Sequence, residues 1–587
     1  MNRDTAGARP LDHHFADFIC RLAGERSDGL HRAALLVSRA VGEGHVCADL
    51  EALEDRAALV ASLRASGVAG SPGTFAPLVL DDESRLYLYR YWKYESELSE
   101  SLKRKSRLSF PVMLPLLREG LDRFFGAPSG DGPDWQRVAA AAAVRGGFSV
   151  ISGGPGTGKT STVVKIIALL LEQSGGAGLR ISLAAPTGKA AARLSESIRD
   201  ARERLGGVTP FSSLIPDDVA TIHRLLGVIP GSSRFRHDRG NPLPCDVLVV
   251  DEASMVPLPL MAKLVDALSP TSRLILLGDR DQLASVEAGA VLGDICDTGR
   301  AHRFSPAFRH FIEDGTGERL EGEGETASPL ADCLVILRKN YRFGADSGIG
   351  ALSRAVNEGA ADAALDLLHG GNCAGVTLCD VPPPDLLAAA LRPAVVAGFS
   401  EYLAQEDPAA ALAAFSRFRI LCAVREGRYG LAGLNQTVEH LLADEGLITA
   451  GRRWYHGRPV MVTVNDYPLR LFNGDIGIAL PDPEAVDGLA VFFPSPDGGL
   501  RKFSPHRLPP HETVFAMTVH KSQGSEFDSI LMVVPPFDTP VLTRELLYTG
   551  ITRARREVEL WCTEDIFRSA SARRVERSSG LRRALWG

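Results

Sequence analysis

A glycine-rich segment at residues 153–160, with the sequence GGPGTGKT, constrains the fold of this chain more than any other feature. It matches the pattern G-x-x-x-x-G-K-[ST] in full. An apolar run that predicts a strand precedes it at residues 148–152, and a predicted helix follows at residues 161–171. Glycines let backbone N–H groups curve around a phosphate, and the N-terminus of a helix adds partial positive charge. The segment therefore predicts a strand, a phosphate-binding loop and a helix.

The same segment assigns roles within a nucleotide site. We expect Lys159 to reach the terminal phosphates of ATP and the Thr160 hydroxyl to bind Mg²⁺. The predicted nucleotide-binding residues of the segment are Gly153, Gly154, Pro155, Gly156, Thr157, Gly158, Lys159 and Thr160. ATP and Mg²⁺ are accordingly the expected ligands.

An acidic pair, Asp251 and Glu252, ends a strongly apolar run at residues 246–250. Two carboxylates in such a place are costly unless they serve a function. We expect Asp251 to bind Mg²⁺ and Glu252 to polarise the attacking water. The structural alternative, a cap on the next helix, suits Asp251 and Ser254 singly but explains the pair poorly. The two motifs together predict an NTPase and no more specific activity.

Short apolar runs, each followed by a helical stretch, repeat from residue 148 onward. This alternation is typical of a parallel α/β sheet. The runs form two sets, at residues 148–152, 180–185, 246–250 and 273–277, and at residues 418–422, 529–534 and 558–561. Two sets indicate two α/β lobes.

The remaining segments complete a predicted division into domains. The N-terminal part has Leu, Ala and Arg at helical spacing and ends in a stretch rich in Gly and Pro. A segment dense in Val, Gly, Asp and Pro predicts an inserted β module. The predicted domains are a helical N-terminal domain at 1–132, a first lobe at 133–340, a second lobe at 341–451 and 512–587, and the β module at 452–511.

Composition restricts the cellular setting and the kinds of site. The 587 residues carry a net charge of −7, so any binding of nucleic acid must rely on local positive charge. The nine cysteines include no C-x-x-C pair, which argues against zinc sites and disulfides. No apolar run is long enough for a membrane span, and no signal peptide is evident, so we expect a cytoplasmic protein.

Three clusters place polar groups where they could detect the γ-phosphate. Gln282 lies in the sequence GDRDQL, directly after a predicted strand. Arg342 and Arg553 lie in the sequences LRKNYR and YTGITRAR. An arginine that approaches from a second lobe stabilises transition-state charge and couples hydrolysis to lobe closure. These residues, with Lys159 and the acidic pair, are the predicted catalytic set.

A fourth cluster, at residues 518–527, has the sequence TVHKSQGSEF. Its small hydroxyls, lysine and Gln-Gly turn suit contacts with both a nucleotide and a nucleic-acid strand. Thr518, His520 and Ser522 are the strand-binding candidates. Each cluster alone is a weak signal, but their order and spacing together predict a motor.

The complete set of motifs resembles superfamily 1 helicases, and within them the RecD family, the alpha subunit of exodeoxyribonuclease V. Gln136, after Trp135, resembles the adenine-reading glutamine of that family. The sequences APTGKA and TIHRLLG resemble its strand-contacting motifs, which implies DNA-binding roles for Thr187, Lys189 and His223.

The resemblance implies more than residue spacing can. It implies two RecA-like lobes, an SH3-like fold for residues 452–511 and 5′ to 3′ translocation on single-stranded DNA at duplex ends. It also implies a heterotrimer with RecB and RecC for double-strand break processing and recombinational repair, with the N-terminal domain docked on RecC. No carboxylate cluster with an associated lysine occurs outside the ATPase motifs, so we expect no nuclease centre.

Three other functions stay open at this point. A stand-alone RecD-like helicase usually has a longer N-terminal region with paired hairpin elements, which the sequence before Trp135 does not show. A non-motor regulatory subunit with a decayed ATP site conflicts with the competent residue at every motor position. An RNA helicase is not distinguished, because discrimination by the 2′-hydroxyl depends on groove geometry.

Two segments keep alternative interpretations. Residues 85–95 carry five aromatic side chains among basic ones, which indicates the core of a small domain, a partner-binding face or a base-stacking platform. Residues 568–583 carry six arginines, which indicates an amphipathic helix with a solvated basic face or a contact with DNA or a partner.

Overall fold

Helices dominate the N-terminal domain, as the sequence predicts, and a small sheet lies among them. In the computed structural model, the described residues are 7–24, 27–128, 132–176, 178–299, 302–321, 328–344, 347–370, 374–449, 451–485, 488–495 and 499–587. The N-terminal elements are α1 (Pro10–Ala23), α2 (Asp28–Gly42), β1 (Cys47–Asp49), α3 (Arg56–Ala65), β2 (Ala69–Gly70), β3 (Leu78–Leu80), β4 (Arg85–Leu88), α4 (Tyr89–Ser106) and α5 (Leu114–Phe125). The sheet order is β1-β4-β3-β2.

The first lobe has a six-stranded parallel sheet with the order β10-β5-β9-β8-β6-β7. Its elements are α6 (Trp135–Arg145), β5 (Phe148–Ser152), α7 (Lys159–Gln173), β6 (Ile181–Ala185), α8 (Gly188–Leu205), β7 (Val219–Thr221), α9 (Ile222–Leu226), β8 (Val247–Val250), α10 (Leu258–Asp266), β9 (Arg273–Gly278), α11 (Val291–Cys296), α12 (Pro306–Thr316) and β10 (Leu334–Ile336). The strands are mostly apolar because helices cover both faces of the sheet.

The second lobe and the inserted module follow in one run of chain. Their elements are α13 (Gly348–Glu358), α14 (Ala361–His369), β11 (Val376–Cys379), α15 (Leu387–Leu403), α16 (Pro408–Phe415), β12 (Phe418–Cys422), α17 (Leu431–Asp444), β13 (Pro459–Val462), β14 (Ile476–Pro481), β15 (Leu489–Pro494), β16 (Leu500–Phe503), β17 (His511–Thr513), β18 (Ala516–Thr518), β19 (Phe527–Val533), α18 (Arg544–Ile551), β20 (Ala554–Trp561) and α19 (Glu564–Ala572). The last helix, α20 (Leu581–Trp586), differs from the predicted second-lobe boundary, because it packs on α4 and α11 in the core of the first lobe.

These elements form two further sheets. The second lobe has a five-stranded parallel sheet with the order β11-β20-β19-β12-β18. The inserted module has a five-stranded antiparallel sheet with the order β16-β15-β14-β13-β17. The chain thus has two RecA-like lobes and a β insertion, and the α/β fold class is confirmed. The SH3-like assignment of the insertion stays a prediction.

Packing differs from the predicted boundary at residue 132. Helix α5 buries Leu117 and Leu121 in the core of the first lobe, together with α6 and α7. Helix α4 packs on α10 and contributes Leu98 and Leu102 to the core on the opposite face of the sheet. Both helices therefore belong to the first lobe by packing, although they precede the predicted linker.

The aromatic run at residues 85–95 divides between β4 and α4. Tyr87 and Tyr91 are buried in the core that the N-terminal domain shares with the first lobe. Tyr89, Trp92 and Tyr94 pack against the same core and are partly buried. The core interpretation therefore accounts for the run.

The basic run at residues 568–583 is not one amphipathic helix. Between α19 and α20 the chain is non-helical and crosses from the second lobe to the N-terminal domain, a stretch that we call the strap, residues 573–580. Arg573 pairs with Asp538, and the Arg577 guanidinium donates to the Glu43 carbonyl at 2.8 Å. The positive charge of these two arginines therefore has partners within the chain.

A buried carboxylate, Glu95, holds the end of the strap. Its Oε2 accepts from the Ser579 hydroxyl at 2.9 Å and from the Gly580 N–H at 3.0 Å. Its Oε1 accepts from the Tyr87 hydroxyl at 3.3 Å. Burial raises the pKa of Glu95, and these hydrogen bonds oppose that rise. The carboxyl therefore fixes the strap at the point where α20 begins.

We predict that Glu95→Ala frees the strap from the N-terminal domain. The hydrogen-bonded acceptor is lost, and leaving buried donors unsatisfied costs about 1–3 kcal/mol. Trypsin should then cleave after Arg574 and Arg577 roughly tenfold faster, as followed by mass spectrometry. Glu100→Ala, at an exposed position of the same helix, is the matched control. Equal cleavage of both variants would contradict the role of Glu95.

Candidate functional site

The glycine-rich segment forms a loop between β5 and α7, as predicted. Gly156 and Gly158 have φ of +83° and +78°, in the left-handed region that favours glycine. The Lys159 ammonium donates to the carbonyls of Gly153 at 2.6 Å and Gly154 at 3.2 Å. The loop and its lysine therefore form a compact cradle at the N-terminus of α7.

Groups from distant parts of the chain contact this loop closely. The Gln136 side-chain amide donates to the Thr157 carbonyl at 3.1 Å. The Asn340 side-chain amide donates to the Pro155 carbonyl at 2.8 Å. A Cβ added at Gly154 would lie 2.6 Å from the Tyr548 hydroxyl oxygen. The loop is thus a meeting point for both lobes.

The acidic pair follows β8, beside the loop. Burial raises the pKa of Asp251, and the negative charge of Glu252 adds to the rise while Lys159 opposes it. Asp251 Oδ1 accepts from the Glu252 N–H at 2.9 Å. Glu252 has a φ of +51°, which costs an L-residue about 1–2 kcal/mol. Such strain is typical of functional residues whose side chain must be aimed in one direction.

A second buried aspartate, Asp279, follows β9 and was not singled out by the sequence. Its Oδ2 accepts from the Gln282 side-chain amide at 3.0 Å and from the Tyr548 hydroxyl at 2.9 Å. Burial raises the pKa of Asp279 to about 6, with Lys159 opposing the rise. Gln282 is 5% exposed. The predicted γ-phosphate sensor is therefore buried and held by a carboxylate.

The two predicted arginines approach the same region from the second lobe and its connection. Arg342 Nη2 donates to Glu526 Oε1 at 2.5 Å. Burial, together with the charges of neighbouring arginines, lowers the pKa of Arg342 to about 10. Arg553 is buried and donates through Nε to the Thr549 carbonyl at 3.0 Å. Burial lowers the pKa of Arg553, while the charges of Glu252 and Asp279 oppose the shift.

Glu526 is the common partner of the arginines in this region. Its carboxylate, with a side chain 8% exposed, pairs with Arg342 and Arg193, and with Arg555 at 3.2 Å. Arg193 lies on α8 of the first lobe, so the carboxylate joins the two lobes. Glu526 lies in the segment at residues 518–527, and its role is not evident from that sequence. Partners 184 and 333 residues away cannot be deduced from local spacing.

The strand-binding candidates lie in different environments. Thr187 caps α8, where its hydroxyl accepts from the Ala190 N–H at 3.2 Å. Burial, with the charges of Arg419 and Arg193, lowers the pKa of Lys189 to about 7. His223 is exposed and packs edge-on against Phe235. These three positions are at the carboxyl side of the first-lobe sheet or just after β7.

The candidates of the second lobe are less accessible. Thr518 is 6% exposed and Ser522 is fully buried, with its hydroxyl donating to the Val519 carbonyl at 2.7 Å. His520 is half-buried, and burial lowers its pKa. In this conformation the structure does not expose the hydroxyl of Ser522 to a strand. The DNA-binding roles of all six candidates stay predictions.

A loop of the inserted module reaches the same surface. The Asn473 side-chain oxygen accepts from the Lys521 ammonium at 2.8 Å, beside His520. A Cβ at Gly188 would lie 3.1 Å from Phe472, which places this loop against the start of α8. The module therefore contacts both lobes, at the start of α8 and beside His520, and local sequence does not reveal such a contact.

The described residues were compared with the requirements of a metal site and of a membrane span. Within the described ranges, no group of three or more His, Cys, Asp or Glu side chains could hold a metal ion. None of the helices described in the structure is long and apolar enough to cross a membrane. Asp251 and Thr160 supply the hard oxygen donors that Mg²⁺ prefers, and phosphate oxygens and waters usually complete such a site.

Comparisons with known proteins agree with this geometry. A family profile described as "RecBCD enzyme subunit RecD, N-terminal domain" matches residues 5–62. Profiles described as "AAA domain" and "UvrD-like helicase C-terminal domain" match residues 136–288 and 513–560. The chain therefore has a family-specific N-terminal region and both halves of a helicase.

Individual relatives extend the match to almost the whole chain. The RecBCD enzyme subunit RecD of Mycobacterium tuberculosis is 42% identical over 98% of this chain and 94% of that protein. The subunit of the same name from Haemophilus influenzae is 37% identical over 85% of this chain and 80% of that protein. The ATP-dependent RecD2 DNA helicase of Deinococcus radiodurans is 32% identical over 69% of this chain but 46% of that protein.

We predict that substitutions at Lys159 and Glu252 separate nucleotide binding from hydrolysis. Lys159→Gln removes the charge that faces the phosphates and should weaken both. Glu252→Gln keeps the shape and should change ATP affinity by less than about threefold, while hydrolysis falls about 10²–10⁴-fold, as for loss of a general base. Fluorescent-nucleotide titration and phosphate release measure the two effects. Glu203→Gln, exposed on α8, is the control, and unchanged hydrolysis in Glu252→Gln would refute its role.

Proposed function

This chain belongs to the RecD family of RecBCD enzyme subunits, and from that premise we propose that it is the ATP-driven 5′ to 3′ DNA helicase of such a complex. It hydrolyses ATP to translocate on single-stranded DNA during double-strand break processing and recombinational repair. RecB and RecC are its proposed partners in a heterotrimer, and the cytoplasm is its proposed location. We propose that this chain has no nuclease centre and that the nuclease activity implied for the complex resides in another subunit.

One observation carries the proposal. Side chains from both lobes converge on a single phosphate-binding loop, with Gln136 from the first lobe, Arg342 from the connection and Tyr548 from the second. A Cβ at Gly156 would lie 2.4 Å from Arg342, and one at Gly158 would lie 2.5 Å from Gln136. A nucleotide bound there contacts both lobes, so hydrolysis can change how the lobes meet.

The residues of this chain divide the work of hydrolysis. Lys159 and the loop N–H groups bind the phosphates, and the strained backbone of Glu252 aims its carboxylate to orient and accept a proton from water. Arg553 is buried and Arg342 is partly buried, so their charges act more strongly than in water on a γ-phosphate brought between the lobes. Thr160 and Asp251 would hold Mg²⁺, which supplies charge neutralisation on the phosphates when bound.

A strand is best placed along the surface where α8, the inserted module and the segment after β18 meet. Lys189 and Lys521 supply amino groups there, and Phe472 and Tyr467 supply aromatic rings, whereas His223 lies after β7 beside Phe235. Phosphate contacts and base stacking of this kind bind single strands without sequence preference. Thr518 and Ser522 would act through the shape of their segment, since their hydroxyls face the interior.

The N-terminal domain carries a surface that supports docking on RecC. Helix α1 buries one face in the domain and leaves a second apolar stripe at the spacing i, i+4, i+7 and i+11. The stripe consists of Leu11, Phe15, Phe18 and Leu22, of which Leu11, Phe18 and Leu22 are 66%, 52% and 53% exposed. Exposed apolar stripes of this kind mark protein-binding surfaces.

A stand-alone helicase is the second candidate, and the RecD2 relative favours it. This chain matches less than half the length of that relative, whereas it matches nearly all of the mycobacterial RecD subunit. The apolar stripe of α1 is also easier to explain in a subunit than in a protein that works alone. The subunit proposal therefore has more support.

We predict that single-stranded DNA stimulates ATP hydrolysis by this chain at least about tenfold, because strand and nucleotide share the interface between the lobes. Hydrolysis should be measured for the chain alone and after mixing with candidate RecB and RecC subunits. Stimulation that needs the partners supports the heterotrimer, and equal stimulation of the lone chain supports the stand-alone helicase. Absence of DNA dependence in both settings would refute the motor.

We also predict that Phe18→Glu prevents co-purification with RecC. A charge placed in the centre of a buried apolar interface should weaken binding at least about a hundredfold, on the scale of an interface hot spot. His13→Glu, on the same helix but outside the stripe, should leave binding unchanged. Tight binding of both variants would place the docking surface elsewhere.

A further inference from the structure

Tyr548 extends from α18 of the second lobe into the nucleotide site of the first. Its ring is buried, and its hydroxyl donates to Asp279 Oδ2 at 2.9 Å. The same hydroxyl oxygen would lie 2.6 Å from a Cβ at Gly154. The phenol therefore fills the gap between the phosphate-binding loop and the end of β9.

Asp279 in turn controls the side chain of Gln282. Its Oδ2 accepts from the Gln282 amide at 3.0 Å, while its Oδ1 accepts from the Asp281 N–H at 3.1 Å. Gln282 Oε1 is buried and has no hydrogen-bond partner among the described residues. The amide is thus held at one end, and its free oxygen and second N–H are available to a water or a phosphate.

The second lobe also holds the backbone next to Gln282. The Thr549 hydroxyl accepts from the Leu283 N–H at 2.9 Å. The Gln523 side-chain amide donates to the Leu283 carbonyl at 2.7 Å. Three hydrogen bonds from the second lobe therefore end on a segment of five residues, 279–283, so the position of this segment depends on how the lobes meet.

We propose that Tyr548 and Asp279 are positioning residues that set the orientation of Gln282 according to the closure of the two lobes. This inference rests on the proposed function, because it requires lobes that open and close with ATP turnover. When the lobes separate, the Tyr548 hydroxyl leaves Asp279. The carboxylate keeps its hydrogen bond to Gln282, but the second lobe no longer fixes the orientation of the carboxylate. When they close, the chain Tyr548–Asp279–Gln282 is restored.

The chemistry of the contact suits a closure sensor. A hydrogen bond to a buried carboxylate is charge-assisted and directional, so it reports a displacement of about 1 Å that an apolar contact would tolerate. The phenol also touches the loop that binds the phosphates, so nucleotide and lobe position act on one side chain. Among the hydrogen bonds of the described residues, the one from Tyr548 links Asp279 to the second lobe.

The first test is Tyr548→Phe, which removes a single oxygen from a buried site. Because Tyr548 acts on orientation and not on phosphate binding, KM for ATP should change by less than about twofold while DNA-stimulated kcat falls about tenfold. Tyr455→Phe is the matched control. Tyr455 is 5% exposed and donates to Glu439 at 2.6 Å, outside the nucleotide site. It should leave both constants unchanged.

A double-mutant cycle distinguishes positioning from a merely structural role. If Tyr548 acts through Gln282, then Tyr548→Phe should have no further effect on kcat in a Gln282→Ala background. Asp279→Asn should likewise lower kcat in the wild-type background and have no further effect on kcat in the Gln282→Ala background. Equal losses of kcat in both backgrounds, or a rise in KM without a fall in kcat, would overturn the proposal.

The two failures can be told apart with the full chain, alone or with its partners, whichever hydrolyses ATP. If the wild-type protein shows no DNA-stimulated hydrolysis, the proposed function fails. If the wild-type protein is stimulated and Tyr548→Phe matches it in kcat, only the present inference fails. Thermal unfolding of each variant shows whether a loss of kcat reflects a loss of folded protein.

Discussion

Close approach to the glycine-rich loop is the constraint on which the arrangement of this molecule depends. At three of its glycines, a Cβ would lie within 2.6 Å of side-chain atoms of Tyr548, Arg342 or Gln136. Real Cβ atoms do not tolerate such distances, so any side chain there would push apart elements from both lobes. The glycines therefore allow the loop to bind a phosphate and also allow both lobes to pack against it. This short loop fixes where the elements that contact it come together.

Much of the fold could be predicted because the central strands are largely buried on both faces and are therefore mostly apolar. The predicted runs correspond to β5, β6, β8, β9, β12, β19 and β20. The strands β7, β10 and β18 have three residues each, too few for a recognisable pattern. The sheet of the N-terminal domain escaped prediction for the same reason. The edge strand β11 has four residues but buries only one of them fully, so it lacks an apolar run. Glu526, Asp279 and Tyr548 gain their meaning from pairings across the lobes, which local sequence does not encode.

Charge in this chain is acidic in total but strongly basic where the lobes meet. Arg193, Arg342 and Arg555 share the carboxylate of Glu526. Like charges at such distances repel unless an anion lies among them, and burial increases the repulsion. The arginine cluster can therefore bind a further anion. A nucleotide phosphate would reduce the repulsion between the arginines in the same way as Glu526 does. The net charge of the chain does not predict such a site, because the site depends on a few charges that are close together in space.

The apolar contact between the N-terminal domain and the first lobe is harder to break than the polar contact between the two lobes. The N-terminal domain joins the first lobe through a continuous apolar core that includes Tyr87 and Leu98, and separating it would expose that surface at about 25 cal/mol per Å². The lobes meet at the site through hydrogen bonds such as those of Thr549 and Tyr548. The neutral Thr549 bond is worth about 0.5–1.5 kcal/mol net and the bond of Tyr548 to a carboxylate about 1.5–3 kcal/mol, because water can replace the partner. A motor needs one rigid body and one interface that opens in each cycle. The distribution of apolar and polar contacts therefore indicates that the N-terminal domain and the first lobe move together, and that movement occurs between the lobes.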